Sequence, residues 1–180
     1  TLAEPQSVDD IAAATAAAAL GKCDGASVDG ADDIKACAAM GDAEIDALCA
    51  ASGSGADCIV KHRGKIASVA NNARCIQRLA EEAEQRCEAQ PPHGTLDALL
   101  WSFVNGAPQL NAWPCAKQIP TDTETSHEMS KALKKLGFSF VGPKICYSLM
   151  QSCGLVIDHP KGSHEWEAAR RRPTANRRVE

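Results

Sequence analysis

Aromatic residues make up only 4% of this 180-residue chain: one tyrosine, three tryptophans and three phenylalanines. Sheets draw on aromatic and β-branched side chains, and alanine carries much of the 44% apolar content, so the composition speaks for packed helices. A CxxC pair is missing too. The nine cysteines (Cys23, Cys37, Cys49, Cys58, Cys75, Cys87, Cys115, Cys146 and Cys153) are scattered, which denies a tetrahedral zinc knuckle its usual spacing. An odd count without a secretory leader argues equally against a secreted disulfide scaffold. The thiols read as small buried hydrophobes in a reducing, intracellular compartment. No long apolar run occurs either. The one candidate leader, "IAAATAAAAL" over residues 11–20, follows Asp9 and Asp10 where a signal peptide carries positive charge. It is also too short to cross a bilayer, so no membrane role is expected. With Thr1 in place of an initiating methionine, the chain reads as a processed product or a piece of a longer one.

What is present is unevenly divided. Residues 1–58 carry 11 acidic and 2 basic side chains, residues 59–180 carry 12 acidic and 17 basic, so the first part is at −9 and the rest at +5. That asymmetry suits a second part that meets a polyanion, although a solvated surface of uneven charge is the plainer reading. The length fits one domain that buries roughly 70% of its unfolded surface.

Residues 1–33 form an alanine-, glycine- and aspartate-rich acidic lead, expected to be poorly ordered. A helical domain follows over 34–160. "AEIDALCAA" puts Ile45, Leu48 and Cys49 on one face, and "SGSGAD" interrupts as a flexible loop. After Gly64, Ile66, Val69, Ala73, Ile76, Ala80, Ala83 and Cys87 recur every three or four residues until Pro91. Thr95 caps "LDALLWSFVNG", and Thr125 with Glu128 forms a capping box for a helix that turns Met129, Leu133 and Leu136 inward and stops at Gly137. Pro143 opens a last helix with an apolar face of Ile145, Leu149 and Met150 beside Cys146 and Cys153, closed by Gly154. The tail 161–180, ending "ARRRPTANRRVE", reads as basic and disordered.

One stretch carries chemistry. "CIVKHRGK" joins two helical segments, and the second begins with unpartnered amides and the positive end of its dipole. A phosphate fits such an end, Gly64 removes a side chain that would hold it off, and Lys61, Arg63 and Lys65 attract it. Ordinary helix initiation with a solvated basic face competes with that reading.

In sequence order, "KHRGKI", "WSFVNGAPQ" and "IPTDTETSHEMSKALKKLGFSFVGPKICYSLMQSCGLVIDH" resemble the bacterial-type 3-methyladenine DNA glycosylase I family, from about Asp32 to His159 with an insertion at "SGSGA". The resemblance implies an all-α helix-hairpin-helix fold and a monomeric, monofunctional glycosylase. Such an enzyme hydrolyses the N-glycosidic bond of 3-methyladenine in duplex DNA and starts base-excision repair with no cofactor in the chemistry. It also implies a hairpin on the DNA backbone at Val60, Lys61, His62, Arg63, Gly64 and Lys65, and base-pocket positions at Tyr147 and Ser148. Trp101 and Phe103 match core positions. His159 matches one ligand of the family's structural zinc, where a cysteine four residues on is replaced by Ser163, with His164 beside it. A histidine next to Asp158 is also what a simple hydrogen-bonded pair would look like.

The family's N-terminal segment, with its remaining zinc ligands, base-reading glutamate and intercalating loop, has no counterpart in residues 1–33. No catalytic residue is therefore assigned. Asp97 is explained by the dipole of its helix, and Lys144 reads as a phosphate contact or a solvated charge. A non-catalytic helix-hairpin-helix DNA-binding protein stands as the alternative, and a cysteine-rich metal or redox protein has only its cysteine count behind it.

Overall fold

The computed structural model of the chain describes residues 30–50, 62–86 and 95–171. Helix α1 (Gly30–Ala39) and helix α2 (Asp42–Ala50) are joined by a tight turn in which the Gly41 amide donates to Glu44 Oε2 at 2.8 Å. Helix α3 (Arg63–Gln85) is the longest, and its Ile66, Ala70, Ala73, Leu79 and Ala83 are buried at helical spacing. Its N-terminal half packs on α1 and α2; Arg74 reaches back to the Ala38 and Met40 carbonyls at 2.8 and 2.6 Å and closes the C-terminal end of α1. The guanidinium satisfies carbonyls that the helix leaves without partners and sits at the favourable end of its dipole.

Helix α4 (Thr95–Ser102) packs against α3, followed by a two-residue strand β1 (Gln109–Leu110) and a short 3-10 turn at Ala116–Gln118. Helix α5 (Glu124–Lys135) and helix α6 (Pro143–Ser152) form a packed pair. Strand β2 (Val156–Ile157) lies parallel to β1, Gln109 opposite Val156 and Leu110 opposite Ile157, and helix α7 (His164–Arg171) ends the described chain. Among the described residues the fold is all-α apart from that short parallel pair.

Two apolar clusters result. The smaller joins Cys37, Ala38, Met40, Ile45 and Ile66; the larger gathers Leu100, Trp101, Met129, Leu133, Tyr147, Met150 and Leu155. Full burial of a Met or Leu contributes roughly 1.5–3 kcal/mol, so Met129 and Leu133 alone anchor α5 firmly.

Several expectations shift. The capping box of α5 lies two residues early: Thr123 Oγ1 accepts from the Ser126 amide at 3.3 Å and Ser126 Oγ from the Thr123 amide at 2.9 Å. Burying Ser126, Met129, Ser130 and Leu133 on one face sets that register, and a start at Thr125 has no comparable partner. Thr95 is itself the first residue of α4, and its buried hydroxyl meets no hydrogen-bond partner among the described residues. Ile145, placed in the core by periodicity, is 60% exposed, whereas Cys146 and Met150 of the same expected face are buried, and Tyr147 joins them. The packed domain also runs past residue 160, because Trp166 of α7 is buried and its Nε1 donates to the Asn111 carbonyl at 2.7 Å. One large apolar side chain holds that helix within an otherwise charged segment.

Candidate functional site

The start of α3 is more engaged than its sequence suggests. His62 is the N-cap, and its Nδ1 accepts from the Lys65 amide at 3.2 Å. Arg63 donates from Nε to Asp46 at 2.6 Å and from Nη2 to Asp42 at 2.7 Å, so two carboxylates of α2 oppose its charge. Lys65 is exposed with no ion-pair partner among the described residues. Val60 and Lys61 lie outside the described residues.

A second helical hairpin stands beside the first. Helix α5 ends in a Schellman turn: Gly137 has φ +90°, its amide donates to the Lys134 carbonyl at 3.0 Å, and the Phe138 amide donates to that of Leu133 at 3.0 Å. Asn72 Nδ2 donates to the Ser139 carbonyl at 3.1 Å while its Oδ1 accepts from the Ser139 amide at 2.9 Å, and Asn71 donates to the Gly137 carbonyl at 2.9 Å. Ser130 Oγ holds the Val141 carbonyl at 2.6 Å. Helix α6 then begins with Gly142 as N-cap and Pro143 next, and no side chain caps it. A Cβ at Gly142 would meet nothing within 4 Å, so this helix start opens on free space beside exposed Lys144. Such an end suits a phosphate better than the self-capped α3. The two starts are neighbours, since the Phe140 and His62 rings meet edge to face at 6.0 Å.

Below the hairpin lies a cavity of about 360 Å³, walled by Ile34, Val69, Ile76, Leu100, Ile145 and Leu149. That is the lower end of the size range for small-molecule sites, on the order of 300 Å³. Among the described residues no Asp, Glu, Lys, Arg or His lines it. Its polar side chains are already engaged: Ser68 Oγ donates to the Lys65 carbonyl at 2.6 Å, and Asn72 and Ser139 hold each other. Among the described residues the cavity offers dispersion contacts and no charge.

Tyr147 and Ser148 are not among the residues lining that cavity. Tyr147 is buried, and its hydroxyl donates to Asp158 Oδ2 at 2.6 Å; Ser148 is exposed on α6. Asp158 is the residue that sequence reasoning undervalued. It is 8% exposed, and its carboxylate also accepts from Gln151 Nε2 at 2.8 Å, Asn111 Nδ2 at 2.7 Å and Trp113 Nε1 at 2.7 Å. Burial pushes its carboxyl up, but the four hydrogen bonds together hold it below the usual carboxylate range. Burial and then the bond to Asp158 raise the Tyr147 phenol. Asp158 thus ties α6 to the 111–113 loop as a fixed anion. It bonds these four groups rather than His159, and no local pattern announces it, because the donors lie 7 to 47 positions away.

Asp97 is buried in the first turn of α4, Trp101 is buried, and Phe103 packs half-buried on the larger cluster. His159 and His164 are exposed, Ser163 Oγ caps α7 by accepting from the Trp166 amide at 3.2 Å, and among the described residues no three His, Cys, Asp or Glu side chains could hold a metal ion together. These residues do not fit a four-ligand zinc site.

An all-α protein with the α5–α6 helical hairpin beside an apolar cavity has the fold type of the DNA glycosylases. A family model described as "Methyladenine glycosylase" matches residues 30–166. DNA-3-methyladenine glycosylase 1 of Escherichia coli is 41% identical over 125 residues, 69% of this chain and 59% of that protein. DNA-3-methyladenine glycosylase of Haemophilus influenzae is 39% identical over 127 residues, 71% of this chain and 60% of that protein. A crystal structure of 3-methyladenine DNA glycosylase I superposes with a TM-score of 0.63 at 35% identity, covering 85% of this chain and 71% of that one. The chain belongs to the methyladenine glycosylase family. It spans about 59–60% of the length of the two bacterial proteins.

Proposed function

We propose that the chain serves as a 3-methyladenine DNA glycosylase, binding duplex DNA that carries alkylated adenine and hydrolysing the bond between that base and its sugar. The observation that carries this reading is the uncapped start of α6 beside Lys144, next to an apolar cavity that Val141 and Ile145 help to line. Methylation at N3 leaves the base cationic, so the electron pair of the breaking C–N bond neutralises the departing base, and water adds to the sugar carbon left behind and gives up a proton to solvent. Selecting the lesion is harder than breaking the bond, since the nucleotide must first leave the stack, which is least costly for a damaged base.

In this reading Val60, Lys61, His62, Arg63, Gly64 and Lys65 form one edge of the backbone contact, with Lys65 its open cation and Arg63 bracing α3 on α2. Gly142, Pro143 and Lys144 form the other. Tyr147 braces α6, whose Ile145 and Leu149 line the cavity, through Asp158, and Ser148 lies on the exposed side of α6 outside the cavity lining. The protein acts as a monomer, and the chemistry needs no metal.

A second reading, DNA binding without catalysis, is favoured by the absence of any acid or base among the cavity's described lining residues. Release of free 3-methyladenine from methylated duplex, in single turnover by the 180-residue chain, separates the two. Release supports the glycosylase; salt-sensitive binding without release leaves the clamp alone.

A further inference from the structure

The tip of the α5–α6 hairpin is held in a left-handed backbone conformation. Phe140 sits at φ +57°, a region L side chains rarely adopt, and 51% of its surface is exposed. Asn71, Asn72 and Ser130 fix the backbone on both sides of it through bonds to Gly137, Ser139 and Val141. One edge of the ring meets His62, and its tip lies 3.6 Å from where a Cβ on Gly64 would stand. Beyond it, Ile145 is 60% exposed. Lys65, next to Gly64, and Lys144, next to Ile145, have no ion-pair partner among the described residues. Phe140 and Ile145 thus form the exposed apolar edge of the cavity they help to line, with an unopposed lysine next in sequence to Gly64 and to Ile145. Such an edge complements a polymer with anionic backbone and apolar ring faces, and it continues the two helix starts already assigned to DNA.

We propose that Phe140 is a nucleotide-contacting residue, its ring packing on a nucleotide of the bound DNA strand whose phosphates Lys65 and Lys144 neutralise. This rests on the DNA-binding reading above. Aromatic packing on a nucleotide is sequence-tolerant and independent of counterion release, so it separates from the phosphate contacts by its salt behaviour.

The test measures binding of the full chain to a duplex carrying a 2-aminopurine reporter, across a potassium chloride series. Phe140→Gly relieves the left-handed backbone and should keep or raise Tm, while Kd rises about 5- to 100-fold at every salt concentration with unchanged slope. Phe140→Trp should bind within about threefold of wild type. Lys144→Ala should instead lower the salt exponent by about 0.9. If Phe140→Gly lowers Tm, Phe140→Asn, which also tolerates the left-handed region, replaces it in the same comparison. Wild-type affinity in the folded variant overturns the contact while leaving DNA binding intact. A wild-type dimer that the substitution dissociates assigns the apolar edge to self-association and also overturns the contact. Absence of any salt-dependent binding by the wild type removes both this inference and the reading beneath it.

Discussion

At the scale of single residues, the buried carboxylate of Asp158 makes the sharpest prediction. Asparagine in its place has one acceptor oxygen for four donors, of which the Tyr147 hydroxyl is buried and those of Asn111 and Trp113 are part-buried, and it brings two donors of its own, so at least two N–H or O–H groups lose their partner. Asp158→Asn should cost about 3 kcal/mol, a Tm lower by roughly 6–12 °C for a domain of this size. Acid should act on the same group. A carboxyl held below its unfolded value of about 3.9 contributes stability that is complete above that pH and is lost as pH falls through the lower folded value. Thermal melts of the wild type should therefore drop below about pH 4, and Asp158→Asn should remove part of that dependence. A curve of the same shape in both proteins would place the acid sensitivity elsewhere.

At the scale of elements, the punctuation of the sequence was easier to read than its contacts. Gly137, Pro143 and Gly154 mark helix ends because each has a local reason, a positive φ or a missing amide. The stretch "TDTETSHE" offers several hydroxyl caps in a row, and only packing of Ser126 and Met129 decides for Thr123. Replacing Thr123 by alanine should destabilise the chain by about 1 kcal/mol in chemical denaturation, and Thr125→Ala by clearly less. The β1–β2 bridge and α7 were illegible for another reason. Two-residue strands carry no period, and α7 rests on Trp166 in a segment whose charges suggest solvent. The family was legible from long runs of matching residues. The open hairpin at α6 was not, because the basic cluster at Lys61 to Lys65 is the stronger local signal, and nothing in it shows that Asp42 and Asp46 hold Arg63. Asn72 crosses between the hairpins, so Asn72→Ala should loosen the 137–142 loop and weaken DNA binding several-fold at a stability cost of about 1–2 kcal/mol. A Kd unchanged by this substitution would show that the loop is held without it.

At the scale of the whole molecule, charge and packing divide differently. The net charge of −4 predicts poor affinity for DNA, yet binding should be local to the hairpins and steeply salt-dependent. Gly64→Asp places a carboxylate there, against the His62 ring whose Cε1 would lie 3.1 Å from the new Cβ. It should weaken binding to all sequences and flatten the salt slope, and an unchanged slope would count against the α3 edge of the interface. Packing separates the chain into two clusters that share α3 as their common wall. Each cluster contains its own thiols. Burial, then Asp33, raises the pKa of Cys37 in the smaller; burial, then Asp97, pushes Cys153 up to about 11 in the larger, where Cys75 and Cys146 are also buried. These groups stay unreactive until their surroundings open, while exposed Cys115 reacts at once. The protein thus carries a clock in each half, and alkylation rates at Cys37 and Cys153 would tell whether the halves come apart together or one after the other.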